Sequence, residues 1–362
     1  MVGPFKAWGG IERKMVILAR ELDALGVGAD MVVLRGNDTP YPELLPSSTE
    51  VIHLGNRSKV DGAWRFARYL RRCRPDAVVT TQDHAAKVAI LGRALSGQRV
   101  PLFVKATNTL SQTIRRRGQR LTTRWLYPWA DGVIAISEGV RDDLLAAFAL
   151  PADKVHVVYN PMVTPDFPQR VERVPTHPWF DPNSTVPVIV AAGRLTRQKG
   201  FDVLISAFGQ LRMTREARLV VLGEGQERPR LEALVGELGL TEVVDLVGFV
   251  DDPVPFMARA SLFVLSSRWE GLGNVLVEAL AAGCPLVATD CPSGPAEILE
   301  HGRHGELVPV DDVPALTAAM VRALSRPKRA SPDAIDRFRS RAVAKRYLEL
   351  LGIQVGDARG QA

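Results

Sequence analysis

Two glutamates with seven residues between them carry the most specific chemistry in this 362-residue chain. They lie in Ser266-Ser267-Arg268-Trp269-Glu270-Gly271-Leu272-Gly273-Asn274-Val275-Leu276-Val277-Glu278. An apolar run ending at Leu265 reads as a strand, and Leu276, Ala279, Leu280 and Gly283 keep helical spacing. This predicts a helix from near Gly273, with Glu270 in the loop before it and Glu278 inside it. Gly271 and Gly273 leave the helix start bare, so that a diphosphate can approach the amides of Gly273, Asn274 and Val275. Glu270 is placed to bond sugar hydroxyls, and Glu278 to accept a pair of hydroxyls such as a ribose offers. A lone helical glutamate is ordinarily solvated. Glu278 instead falls within the apolar stretch Val275 to Ala282, where an unpaired charge is costly.

A second group of residues is Gly193-Arg194-Leu195-Thr196-Arg197-Gln198-Lys199-Gly200, directly after an apolar run. A strand, a glycine turn and a helix start form an anion site, because unpaired backbone N–H groups point outward there. Arg194 offers a planar fork to phosphate oxygens, and Lys199 a point charge. Taken alone, the turn suits a solvated basic loop equally well.

The elements that must position these residues alternate strand and helix in two halves, which implies parallel sheets covered on both faces. In the first half, Ile11 to Leu25 has a helical rhythm, and strands are expected over 29–34, 75–80, 100–105, 132–136 and 155–159. Seven prolines fall within 161–187, which reads as a stiff linker. The second half offers strands over 186–192, 217–222, 243–247, 262–265, 285–289 and 306–308, with helices over 201–213 and 228–238. A terminal helix is expected over 333–351. The expected domains are 1–165, a linker 166–185, a ligand-binding domain 186–330, and a terminal segment 331–362 returning to the first domain. The fold class is α/β: two tandem Rossmann-like doubly wound domains with a ligand cleft between them.

Composition sets the class of partner. The chain is 46% hydrophobic and 24% charged, as a globular protein with a large core should be. A net charge of +6 favours anionic partners, whether nucleotides, nucleic acid or acidic lipid. No run long enough to cross a membrane occurs, and the N-terminus lacks the apolar core of a signal peptide. Cys73, Cys284 and Cys291 match neither a disulfide framework nor a zinc site, so a cytoplasmic location is expected. Cys291 is read as packing in preference to a reactive thiol.

These motifs resemble those of the retaining glycosyltransferases of family 4, which have the two-domain GT-B fold. The similarity rests on Gly9-Gly10-Ile11-Glu12-Arg13, Ala135-Ile136-Ser137-Glu138-Gly139-Val140, Asn160-Pro161 and Gly193-Arg194 with Lys199-Gly200. It extends through Leu222-Gly223-Glu224-Gly225, Val247-Gly248-Phe249-Val250, Glu270 to Glu278, and Thr289-Asp290-Cys291-Pro292-Ser293-Gly294-Pro295. It covers nearly the whole chain, and the glutamate spacing is its most specific part. The resemblance implies a nucleotide-diphosphate sugar as donor, with Arg194 and Lys199 holding the diphosphate and stabilising its departure. It implies that Glu270 meets the transferred sugar and Glu278 the ribose. Phe249 and Val250 would lie by the base through their backbone, and Gly9 and Gly10 would approach the phosphates from across the cleft. It further implies retention of anomeric configuration with attack on the face the diphosphate leaves, no protein nucleophile, no cofactor and no metal.

Two departures bear on the acceptor side. Family members open with an apolar strand before the Gly-Gly loop, whereas Met1-Val2-Gly3-Pro4 reads poorly as one. Either that strand lies ahead of Met1 or the domain lacks it. Many relatives also carry a histidine after a middle strand, where Val104-Lys105-Ala106-Thr107-Asn108 has none. Asn108 is the substitute considered, and His84 a second acceptor-side candidate, although a plain surface or capping role suits His84 better.

Arg115-Arg116-Arg117-Gly118-Gln119-Arg120, followed by Trp125, Tyr127 and Trp129, and the cluster Arg65, Arg68, Arg71, Arg72 and Arg74 suit an anionic membrane surface. They suit a solvated helix face with aromatics packed beneath at least as well. A glycan or lipid-linked acceptor is expected, and if the two basic stretches share a face, peripheral contact with the inner membrane face goes with it. Alternatives are another GT-B enzyme, such as a nucleotide-sugar epimerase, or a non-catalytic binding relic. A nicotinamide dehydrogenase lacks its glycine fingerprint, and no recognition motif supports nucleic-acid binding.

Overall fold

The computed structural model describes residues 1–6, 9–36, 38–114 and 116–354. Arg115, part of the first basic cluster, lies outside the described residues, as do Ala7 and Trp8 before the Gly-Gly loop. The chain divides into two units, Met1–Thr164 with Arg337–Ala362, and Pro165–Asp336.

Among the described residues, the first unit holds a seven-stranded parallel sheet. Its strands are β1 (Val2–Gly3), β2 (Met31–Val33), β3 (Val51–His53), β4 (Val78–Thr81), β5 (Leu102–Ala106), β6 (Gly132–Ala135) and β7 (Val155–Val157). Their order is β3-β2-β1-β4-β5-β6-β7. The first strand, expected to be short or missing, is present and short: Val2 pairs with Val32 on one side and Thr80 on the other, so β1 lies inside the sheet. Two residues suffice because both neighbours are strands and Val2 is fully buried. The relic reading thereby loses its main support.

The second unit holds β8 (Val188–Ala192), β9 (Arg218–Leu222), β10 (Val244–Gly248), β11 (Leu262–Leu265), β12 (Leu286–Thr289) and β13 (Glu306–Val308). Their order is β10-β9-β8-β11-β12-β13, all pairs parallel. The near-continuous apolar strands follow from burial on both faces. Ile189, Ala191, Leu219, Val221, Leu262, Val264 and Val287 pack with Leu204, Phe208 and Leu211 of the helix Phe201–Arg212 in one core.

Strand order explains where ligands can bind. In each sheet the winding reverses between the first strand and its outer neighbour, leaving a crevice at the carboxyl ends. In the second unit that point lies between β8 and β11, which pair directly through Leu262 and Ile189. The Gly193 turn follows β8 and the Glu270 loop follows β11, so topology alone sets the two motifs side by side.

Segments read as linker and tail differ from expectation. The proline-rich stretch carries a helix, Phe167–Glu172, and a 3-10 turn, Pro178–Phe180, and from Pro165 onward belongs to the second unit. Proline at the start of each is compatible with helix, because the missing N–H has no partner there. The terminal helix breaks into a 3-10 stretch, Pro332–Phe338, and a helix, Ser340–Leu351. Ser340 donates to Glu21 of the helix Gly10–Asp23 at 2.6 Å, and Tyr347 packs into the core of the first unit. Among the described residues, no helix is long and apolar enough to cross a membrane.

Candidate functional site

The centre of the site is a shared carboxylate oxygen. Glu270 Oε1 accepts from Lys199 Nζ at 2.5 Å and from Ser267 Oγ at 2.6 Å. Glu270 is buried and its backbone N–H donates to the Pro292 carbonyl. The turn and the loop are laced together by hydrogen bonds that hold this pair in place. Arg268 N–H donates to the Gln198 carbonyl at 2.7 Å, Gln198 Nε2 to the Trp269 carbonyl at 2.8 Å, and Ser266 Oγ to the Lys199 carbonyl at 2.9 Å. Gly200 is required by this lacing. Its φ is +62°, and a Cβ there would stand 2.1 Å from the Ser266 carbonyl oxygen. Arg268 serves the same frame, bonding both carboxylate oxygens of Asp202 at 3.0 Å and Asp311 at 2.7 Å. Burial works to raise the Asp202 pKa, but the Arg268 bonds outweigh it and hold the carboxyl below its usual range.

The helix Asn274–Ala281 begins where expected. Gly273 caps it in the left-handed region, with φ +89°, and as a glycine supplies no side-chain cap. Gly271, Leu272 and Gly273 are buried, while Asn274 and Val275 are partly exposed. Gly193 is partly buried, and Arg194 is exposed with no side-chain partner among the described residues.

Glu278 differs from its expected state. It is buried, but the charge is not isolated: Arg170 Nη2 stands 3.8 Å from Glu278 Oε1. Arg170 is itself clamped on Asp252, with Nη2 2.7 Å from Oδ1 and Nε 3.1 Å from Oδ2. Burial lowers the Arg170 pKa, but Asp252, and then Glu278, more than offset this and keep the guanidinium charged. Sequence reasoning missed Arg170 because the segment read as linker. The available signal was Asp166-Phe167-Pro168, an acidic residue and a proline at a helix start. It also missed Ser267, whose small side chain gives no pattern.

Phe249 and Val250 follow β10. The Phe249 ring is 75% exposed and Val250 is partly exposed. Cys291 is buried near Glu270, and its thiol is pushed up to about 12 by burial; Cys284 is raised to about 12 in the same way. Both are packing residues, as read from sequence for Cys291. Among the described residues, no group of three or more histidine, cysteine or acidic side chains is placed to hold a metal ion.

The donor-side candidates Gly9 and Gly10 and the acceptor-side candidates His84 and Asn108 lie in the first unit, after β1, β4 and β5 respectively, the first two of these strands flanking its winding reversal. Gly9 precedes the helix Gly10–Asp23 and exchanges two hydrogen bonds of 3.2 Å with the Tyr41 hydroxyl. A Cβ at Gly9 would strike Glu12, whereas Gly10 faces open space. His84 begins the helix Asp83–Ser96 after β4. Burial, and then Arg35 and Lys59, lower its pKa, and its buried Nε2 has no hydrogen-bond partner. Asn108 is exposed in the turn after β5. Lys105 in that strand is fully buried beside the Tyr347 ring, and burial pushes its amine down to about 7.

Comparison with known proteins agrees with this architecture. The family model described as Glycosyltransferase Family 4 matches residues 8–166, and that described as Glycosyl transferases group 1 matches residues 186–326. N-acetylgalactosamine-N,N'-diacetylbacillosaminyl-diphospho-undecaprenol 4-alpha-N-acetylgalactosaminyltransferase of Campylobacter jejuni is 36% identical over 188 residues, which is 52% of this chain and 49% of that protein. The chain spans between about half and three-fifths of the length of the first curated relatives it matches. In fold, it is similar to Anabaena Alr3699/HepE solved with UDP and glucose, at TM-score 0.80 and 21% identity over 97% of this chain and 98% of that one. It is similar to the lipopolysaccharide outer core galactosyltransferase WaaB, solved in its apo form, at TM-score 0.77 and 22% identity over 97% and 98%. With its two doubly wound units and two family matches taking in most of its length, the chain belongs to the family 4 type of GT-B glycosyltransferases.

Proposed function

We propose that this protein transfers a sugar from a nucleotide-diphosphate donor to an acceptor hydroxyl, with retention of anomeric configuration. The observation that carries the reading is the Lys199–Glu270 pair at the winding reversal of the second unit, one helix start away from Glu278. An ammonium held by one carboxylate oxygen keeps two further N–H donors for a diphosphate. Arg194 and the amides of Gly273, Asn274 and Val275 add to the same anion site. Glu270, held in place by Lys199 and Ser267, meets hydroxyls of the transferred sugar. Glu278 takes the ribose hydroxyls, and the backbone at Phe249 and Val250 the base. The fold neighbour HepE was solved with UDP and glucose, which supports a donor of this class.

In the reaction so read, the bond from the sugar's anomeric carbon to the diphosphate oxygen breaks, and its electron pair leaves with the diphosphate. The acceptor oxygen bonds the same face of that carbon, and its proton passes to the departing phosphate. Lys199 and Arg194 stabilise the charge that develops on the leaving group, a term worth several kcal/mol in preorganised sites, on the order of 3 per donor. No metal is required on this reading, because the two cations carry the compensating charge.

The acceptor class is a glycan or a lipid-linked glycan. The Campylobacter relative is named for a diphospho-undecaprenol-linked acceptor, which supports this reading. In the first unit the helix Arg117–Leu126 carries Arg117, Arg120 and Arg124 with Leu121 and Trp125 exposed, and Trp129 is exposed just beyond it. Of the three aromatics, only Tyr127 is packed beneath. A second helix, Lys59–Cys73, exposes Val60 and Trp64 among Arg65, Arg68, Arg71 and Arg72. Amphipathic basic surfaces of this kind favour an anionic bilayer, which would put the protein peripherally at the cytoplasmic face.

A screen of thermal stability against UDP-, GDP-, ADP- and TDP-sugars tests the donor reading, because a bound donor raises the melting temperature by mass action. No shift with any nucleotide sugar or free nucleotide would sink it. Proton NMR of the first-formed product distinguishes retention from inversion, and activity undiminished in EDTA is expected.

A further inference from the structure

Neither family match reaches residues 167–185, yet this stretch supplies a buried arginine to the nucleotide end of the site. Arg170 stands between two carboxylates on different elements. Asp252 follows β10 and the Phe249-Val250 pair, and Glu278 lies on the helix Asn274–Ala281. The three are unequally bound. Asp252 takes a two-pronged grip from Arg170 and also accepts from the Val254 N–H at 3.2 Å. The Phe167 ring lies 5.1 Å under the guanidinium. With its fork engaged and one face stacked, Arg170 has little freedom to turn toward Glu278.

The 3.8 Å to Glu278 is within reach of charge attraction but beyond a hydrogen bond. Among the described residues, Glu278 makes no side-chain hydrogen bond, although it is buried. Arg170 faces both carboxylates, and Arg173 Nη1 stands 3.7 Å from Asp252 Oδ2, so the cations lie mainly on Asp252 and Glu278 is met only at 3.8 Å. Arg170 offsets part of the charge of Glu278 while leaving its lone pairs open to neutral hydroxyl donors. A Lys or Arg placed directly on Glu278 would occupy those lone pairs instead.

We infer that Arg170 is the positioning residue of the nucleotide site, holding Glu278 and the loop at Asp252 so that the protein selects a ribonucleotide over a 2′-deoxyribonucleotide. This rests on the reading of Glu278 as the ribose ligand. The arginine does not touch the nucleotide. It fixes the carboxylate that does, and ties it to the loop beside the base, so ribose and base are gripped as one unit.

The test uses the full chain and isothermal titration with UDP, GDP and ADP. The nucleotide that binds best is then compared with its 2′-deoxy counterpart and with inorganic pyrophosphate, which samples only the Arg194 and Lys199 end. Wild-type protein is expected to favour the ribonucleotide about tenfold, the worth of one hydrogen bond to a charged group. In Arg170→Met that preference should fall toward one, with pyrophosphate affinity unchanged and donor KM raised more than kcat is lowered. Arg170→Lys should recover part of the preference. Because Arg170→Met takes from Asp252 its two-pronged partner and leaves it the more distant Arg173 at 3.7 Å, the double variant Arg170→Met/Asp252→Asn removes both charges and is expected to stay folded with the same lost preference. A ribonucleotide preference retained in the folded variants overturns the inference, as does an equal loss of pyrophosphate binding, which marks general damage. If wild-type protein binds no nucleoside diphosphate at all, the proposed function fails before any variant is made.

Discussion

Lys199 and Glu270 form a 2.5 Å ion pair across two loops, each following a strand on one side of the winding reversal in the second sheet. Their separation in sequence is 71 residues, and adjacency comes from β8 and β11 pairing directly. The pair is more than a salt link, because Ser267 occupies the same carboxylate oxygen and fixes the ammonium's direction. Lys199→Ala and Glu270→Ala should each lower kcat about 10²- to 10³-fold, the usual cost of one preorganised donor. The double variant should be little worse than the poorer single one, because residues acting as a unit are not additive. Steady-state rates of nucleoside diphosphate release measure this, and full additivity would mean that the two residues act independently.

Gly200→Ala should damage the site without touching any ligand group. The residue sits at φ +62°, where a side chain costs about 1–2 kcal/mol from backbone strain alone. The 2.1 Å approach to the Ser266 carbonyl adds a clash with backbone, which cannot rotate away. Urea unfolding should give a loss above that range, together with weaker nucleotide binding as the two loops part. A variant as stable as wild type would show that the loops are not locked here.

Much of this arrangement was legible in the sequence, for a physical reason. Strands buried on both faces read as near-unbroken apolar runs, so β8, β9, β11 and β12 stood out, and glycines such as Gly193 and Gly273 marked the turns after β8 and β11. Pairs distant in sequence were not legible. Nothing near Glu278 points to Arg170, since that contact depends on how the chain returns in space. Ser267 lies close to Glu270, yet a small hydroxyl gives no sign that it will turn toward the carboxylate. The strand β1 was hard to read because Gly3 and Pro4 argue against a buried strand. In the fold Gly3 is needed: a Cβ there would stand 2.7 Å from the Phe5 ring and 2.6 Å from Thr81 Oγ1. Proline density likewise marked 161–187 as a linker, although proline is at home in the first turn of the short helix that delivers Arg170.

Lys105 predicts a pH dependence of stability. Its amine is buried without a hydrogen bond, and burial, then Lys14, lowers its pKa from 10.5 to about 7. Between about pH 7 and 10 the unfolded chain holds this proton and the folded chain does not, so stability should rise with pH across that window. Below pH 7 both states are protonated and the cost is constant and largest. Lys105→Met should therefore stabilise the first unit at pH 7, by an amount on the order of a few kcal/mol, and flatten the slope. Thermal unfolding from about pH 6.5 to 9.5, spanning most of that window, reads this directly. An unchanged slope in the variant would place the titration elsewhere.

The exposed aromatics beside the arginines predict contact with anionic lipid. Trp125 is 76% exposed and Trp129 57%, an unusual surface cost unless a partner covers them. Arg117, Arg120 and Arg124 lie on the same short helix, so apolar burial and charge attraction would act together on one bilayer. Each cation near such a surface is worth about 1 kcal/mol, and therefore about fivefold in binding. Flotation should recover the protein with phosphatidylglycerol vesicles and not with phosphatidylcholine alone. Trp125→Ala should weaken recovery at all salt concentrations, whereas Arg117→Glu/Arg124→Glu should weaken it most at low salt, where screening is least. Equal recovery with both vesicle types would assign the arginines to another anion, and recovery with neither would return the helix to a plain solvated face.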